Sequence, residues 1–257
     1  KTVNTLREKD IQNQNDDEDI KKSPKVTKEQ LEKYITLQRL RGEKLFIASE
    51  LGLNLSNLDL SGINFEGAIL THASFEGSNL SNCNFENAFL ENANLKNVIA
   101  KATNFNHANM SNTNFENSDL SESSFINAYI ENANLKKTNL KKTNFYQASL
   151  VETIFTEAIL DEANMSNTNC SQTIFTKTQA LNTNFDRATF TSADCNGSNW
   201  TNSSLEGSVG ENLNMSNVNL SNTNLFGAKL ANSNLSQTNL TNAFMEAVDC
   251  SECNLSG

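Results

Sequence analysis

Cys83-Asn84-Phe85-Glu86-Asn87, Ala88-Phe89-Leu90-Glu91-Asn92 and Ala93-Asn94-Leu95-Lys96-Asn97 follow one another and carry one pattern three times. Each unit opens with a small residue, places a bulky apolar residue third and closes on polar ones. Followed outward, the unit runs without insertion or deletion from Leu53 to Leu255, and every fifth residue from Leu55 on is its centre, 41 centres in all. Leu, Phe, Met or Ile fills 34 of these, and Ala, Ser, Thr or Cys fills 34 of the positions two residues earlier, so both positions read as interior. Asn usually stands between them, as at Asn84, Asn94, Asn104 and Asn114.

A period of five suits neither a helix nor a flat strand. It suits a coil of short faces joined by tight corners, where Asn and Asp side chains hydrogen-bond the nearby backbone. Reading every twentieth residue tests how many faces the coil has. One column is Phe65, Phe85, Phe105, Phe125, Phe145, Met165 and Phe185, and the column opposite mixes Phe75, Phe115, Phe155 and Phe175 with Leu. Phenylalanine concentrates on two opposite walls, as a four-sided coil predicts. Volumes also compensate along a column: Trp200 falls between Ala180 and Leu220, and Phe190 between Cys170 and Gly210. A close-packed interior demands such trades.

The pattern resembles that of the pentapeptide-repeat family, A(D/N)Lxx, and Ala93-Asn94-Leu95 and Ala133-Asn134-Leu135 match it literally. The resemblance covers residues 53–257. It implies an all-β fold, a right-handed quadrilateral parallel β-helix of about ten coils, on the order of 50 Å long at roughly 4.8 Å per step.

Residues 1–26 are expected to form a disordered, charged leader, with Asp16-Asp17-Glu18-Asp19 its most acidic run. Residues 27–52 are expected to form a helical N-terminal cap over the first coil. Thr27 and Gln30 make a capping box, Leu31, Tyr34, Ile35, Leu37, Leu40, Leu45 and Ile47 an apolar stripe, and Gly42 a break. At the other end the repeat stays in phase to Leu255. Two readings stay open there: a longer protein of which this is a part, which we favour, or an end-to-end contact through the last coil.

The chain of 257 residues has a formal charge of −10, with residues 1–52 near neutral and the rest at −11. That balance argues against direct nucleic-acid binding, which needs a basic stripe. No run of about 18 apolar residues marks a membrane span. The sequence offers no metal or cofactor motif and no nucleophile elbow, so no cofactor is expected. His72 and His107 occupy outward corner positions on different faces. The five cysteines, Cys83, Cys170, Cys195, Cys250 and Cys253, all fall on inward positions, which makes Cys250 and Cys253 core fillers before they are a redox pair. Most repeat threonines are inward too, against ice binding. An uninterrupted solenoid lacks the loops that build a catalytic cleft, so the chain reads as a non-enzyme.

Recognition would then lie where the outward polar rule is broken. Ile126, Tyr129 and Tyr146 are outward on neighbouring coils, and Lys136, Lys137, Lys141 and Lys142 lie within the same coils; together they form the candidate protein-binding patch. Ile69 and Phe89 form a secondary candidate. The leading function is a protein-interaction scaffold. By the family resemblance this extends to an effector-like bacterial protein, cytoplasmic or secreted into a host cell. Some pentapeptide-repeat proteins imitate DNA and bind DNA gyrase, which makes a DNA-mimicking topoisomerase regulator the alternative. This sequence departs from that type in lacking projecting loops. A third reading is a non-catalytic domain of a larger enzyme.

Overall fold

The computed structural model describes residues 26–47 and 54–257; of the leader expected at 1–26 and the cap expected at 27–52, residues 1–25 and 48–52 lie outside them, and Val26 is buried. From Asn54 onward the backbone closes one turn every twenty residues. Parallel bridges join residue n to residue n+20 in four columns, beginning Asn54↔Ser74, Asp59↔Asn79, Asn64↔Asn84 and Ile69↔Phe89, and the first column climbs to Asn234↔Asn254. We number the faces by their central residues: face 1 holds Phe65, Phe85 and onward to Met245; face 2, Leu70 to Cys250; face 3, Leu55 to Leu255; face 4, Leu60 to Leu240. A corner residue is counted with the face it follows.

One repeat shows why five residues suffice. Every backbone N–H needs an acceptor. In the unit 83–87, Cys83 donates across the turn to Leu80 O (3.1 Å), Asn84 to Ile63 O on the preceding coil (3.0 Å), and Phe85 and Asn87 to Asn104 O and Asn106 O on the following coil (2.6 and 3.0 Å). Glu86 has no backbone acceptor and donates to its own neighbour, Asn84 Oδ1, at 3.1 Å. Asn is therefore favoured between the inward pair because it accepts the fifth N–H. Asp does the same at Asp119, whose Oδ1 takes the Ser121 N–H at 3.2 Å. Partial burial pushes that carboxyl up, but the Ser121 hydrogen bonds and Lys101 outweigh it and hold it below the usual range.

The corner is closed by the second residue after the centre, which sits in the left-handed region throughout, from Asn57 (φ 56°) to Glu252 (φ 58°). Asn tolerates that region better than other non-glycine residues, and Asn is common there.

The interior is filled by ring stacks. Phe85, Phe105, Phe125 and Phe145 stack at centroid separations of 5.0, 5.0 and 4.7 Å, within 10° of parallel. Phe75 on face 3 meets Phe65 and Phe85 edge-on at 6.1 and 5.9 Å. Both arrangements suit the ring quadrupole. The inward small residues do more than fit. Ser118 Oγ donates to Leu95 O (2.8 Å) and accepts from Val98 N (3.1 Å), bridging two coils inside the core. Ser118→Ala is expected to cost about 1 kcal/mol, read from urea midpoints, because Val98 N–H and Leu95 O lose the bridging hydroxyl and are left to close the same turn bond that Cys83 N makes to Leu80 O.

Helix α1 (Lys28–Leu40) starts on the expected capping box, with Thr27 Oγ1 accepting Gln30 N and Gln30 Oε1 accepting Thr27 N. It ends earlier than its apolar stripe, because the chain turns at Arg41-Gly42 and Gly42 adopts φ 67°. Leu31, Ile35, Leu45 and Ile47 are buried. Lys28 Nζ donates to Ser61 O (2.8 Å), Arg39 Nη2 to Asn64 O and Glu66 O (3.3 and 3.2 Å), and Ile69 N to Leu45 O (2.7 Å). Those contacts seat the segment on the first coil.

Candidate interaction surface

The seven residues singled out from the sequence do not come together. Ile126 and Tyr146 stack one coil apart at the end of face 1, and Tyr129 lies just past that corner on face 2, bridged to Ser149. Lys136 and Lys137 close face 3, at the diagonally opposite corner; Lys141 and Lys142 close face 4. Three of these lysines are engaged one coil on: Lys137 with Glu157 (3.7 Å), Lys141 with Asp161 (3.6 Å) and Lys142 with Glu162 (3.7 Å). Tyr129 is 57% exposed and Tyr146 37%. Of the secondary pair, Phe89 is exposed and Ile69 half-buried beside Leu45.

Sorting every outward residue by face gives a sharper division. Faces 1 and 2 hold eleven carboxylates against Arg187 and Lys229, a net of −9; faces 3 and 4 hold nine against seven lysines, a net of −2. The five ion pairs within the described solenoid, Lys96–Glu116 and Lys101–Asp119 with the three above, all lie on faces 3 and 4. The exposed aromatic residues of the solenoid, Phe89, Tyr129, Tyr146, Phe226 and Phe244, all lie on faces 1 and 2. Phe226 and Phe244 stack at 6.0 Å in the open, a pair missed from sequence although each stands on a phase normally polar. Each of Phe89, Tyr129 and Phe244 also replaces the Asn that would accept the fifth N–H, so these rings displace a useful side chain.

Among the described residues no group of three or more His, Cys, Asp or Glu could hold a metal ion. No helix among them is long and apolar enough to cross a membrane. His107 is exposed and His72 half-buried, both on left-handed corners. Burial pushes the thiols of Cys83 and Cys170 up to about 12, and that of Cys195 well above its usual value. A thiol so protonated is a poor nucleophile. Iodoacetamide at pH 8 is expected to leave these three unlabelled in the folded protein and label all five after unfolding, as read by mass spectrometry.

The chain matches the families described as "Pentapeptide repeat region" over residues 53–125 and "Pentapeptide repeats (8 copies)" over 129–167, 154–191, 188–225 and 219–257. It belongs to the pentapeptide-repeat family, whose members fold as right-handed β-helix solenoids. No curated protein matches it. Among solved structures it is similar to a trypsin-treated variant of QnrB1, a plasmid-mediated fluoroquinolone resistance protein (16% identity, 77% of this chain and 92% of that chain, TM-score 0.57). It is also similar to HetL, a protein involved in heterocyst differentiation regulation from the cyanobacterium Nostoc sp. strain PCC 7120 (19% identity, 84% and 92%, TM-score 0.48). At such identity the first likeness speaks to the fold alone.

Proposed function

We propose that this protein is a non-catalytic protein-interaction scaffold, a rod of about ten coils closed at its N-terminal end by α1, which recognises partners through faces 1 and 2. The observation that carries this reading is the one-sided placement of the exposed aromatic residues. Large apolar rings are unfavourable in water, and concentrated exposed ones mark interaction sites. Five on two faces and none on the other two is a distribution that solubility does not require. The lysine half of the patch is left out of this recognition surface, because its members sit at other corners and three of the four pair with carboxylates.

The test is affinity capture with the intact chain and with Tyr129→Ala/Tyr146→Ala. The double variant is expected to fold normally and to lose specific partners, at a cost of roughly 2 kcal/mol or more per ring if these are anchors. An unchanged partner set would sink the assignment of this corner. The DNA-mimicking alternative draws support from the −9 of the same two faces. It is weakened by the apolar band of Ile126, Tyr129, Tyr146 and Val151, which interrupts the run of charge. Competition between the chain and duplex DNA for gyrase separates the two readings.

A further inference from the structure

The charge around that apolar band is as uneven as the rings. On faces 1 and 2, between His107 and Arg187, there is no cationic side chain, while Glu131 and Glu152 close face 2 just past the column of Tyr129. Glu131 Oε1 accepts from Ser149 Oγ at 2.7 Å, which holds the carboxylate beside the Tyr129 column. Two coils before Tyr129, next to Phe89, Glu91 has one oxygen on Asn109 Nδ2 (2.7 Å) and the other buried with no partner among the described residues. A buried carboxylate oxygen left unpaired is costly. On faces 3 and 4 five of the nine acids already have lysines.

From this arrangement we propose that face 2, together with the corner that leads into it from face 1, docks an arginine-bearing segment of a protein partner. Its guanidinium groups stack on Tyr129 and Tyr146 and pair with Glu131 and Glu152. Three arguments select that chemistry. A surface at −9 repels nucleic acids and anionic lipid, and attracts a cationic chain. Exposed tyrosine faces attract cations through the ring quadrupole. A guanidinium, unlike an ammonium, can stack flat on a ring while bonding a carboxylate with two parallel N–H groups. The opposite side offers less, since five of its nine acids already hold a lysine and, among the described residues, it exposes no aromatic ring. The inference rests on the interaction-scaffold reading and narrows its partner class.

The test titrates the intact chain, by fluorescence anisotropy at about 0.15 M salt, with a labelled Arg-Gly repeat peptide and with its Lys-Gly counterpart. The arginine peptide is expected to bind several-fold more tightly than the lysine one. Tyr129→Ala/Tyr146→Ala and Glu131→Gln/Glu152→Gln should each weaken it roughly tenfold, about 1.4 kcal/mol. Glu157→Gln/Glu162→Gln removes the same charge from faces 3 and 4 and should change binding less than twofold. All substituted positions are on the outside, and circular dichroism checks that the coils are retained. Equal loss in the face 3 and 4 control, or equal binding of the two peptides, overturns the proposal, because either outcome reduces the effect to a diffuse negative field. The broader reading fails separately. If affinity capture depends on Tyr129 and Tyr146 while the arginine peptide does not bind, the partner chemistry is wrong and the recognition side stands. If capture is indifferent to the tyrosines as well, both fall.

Discussion

Phe125→Ala is expected to destabilise the rod by about 3–5 kcal/mol, the range for removing a buried ring. Phe125 lies 5.0 Å from Phe105 and 4.7 Å from Phe145, within 10° of parallel to both. The cost of such a cavity depends on how far the neighbours collapse into it. Here they are held apart by the backbone. Phe105 N is bonded to Ser124 O and Phe125 N to Asn144 O, both at 2.7 Å, and the coil spacing is fixed by those ladders rather than by the rings. Phe125→Leu should be mild, within about 1.5 kcal/mol, because Leu205 and Leu225 occupy the same column further along and are fully buried. A solenoid adds a second signature. Each coil touches only its neighbours, so a weak coil decouples the two halves. Urea unfolding of Phe125→Ala should broaden or split, and hydrogen exchange should rise first in the coils containing residues 105–145. An Ala variant within about 1 kcal/mol of the parent, with a single sharp transition, would contradict a continuous stack.

The repeat was legible because it is a one-dimensional code. Which residues go inside, how many faces there are, and where the cysteines lie all follow from position modulo five and modulo twenty. The Thr27 capping box and the break at Gly42 were local enough to read as well. The recognition side was not legible in the same way. Lys136, Lys137, Lys141 and Lys142 stand close to Tyr129 and Tyr146 in the chain, yet each step of five residues turns a corner, so sequence neighbours face different directions. Charge pairing is also invisible until residues twenty apart are set side by side, which is where Lys137 finds Glu157 and Lys142 finds Glu162. Phe226 and Phe244 needed only that sorting, since eighteen residues separate them and one coil step brings them into contact. The role of the intervening Asn was half legible. A backbone bond was foreseen, but its identity as the acceptor of the fifth N–H emerges only when all five donors of a repeat are followed to their partners.

The second large effect is expected where the code is broken inside. Gly210 leaves a central slot of face 2 empty, and three residues on Leu213 stands where the repeat calls for a small side chain. The two exceptions are one exchange of volume. A methyl carbon built on Gly210 would lie 2.8 Å from Leu213 Cδ2, 3.3 Å from Leu213 Cβ and 3.4 Å from Leu230 Cδ2. Leu213, 1% exposed, therefore reaches back into the space its neighbour vacates. Leu213→Ala should open a cavity and cost about 2–5 kcal/mol. Gly210→Leu should force two side chains into one slot and cost about 1–3 kcal/mol. Together, Gly210→Leu/Leu213→Ala rewrites the two adjacent units, 208–212 and 213–217, into the ordinary small-then-bulky order of their neighbours. The double variant should recover most of the stability, with a coupling of about 3 kcal/mol. A thermodynamic cycle on the four proteins by urea denaturation measures that term. Additive losses would mean that Leu213 fills some other space and that the two exceptions arose independently.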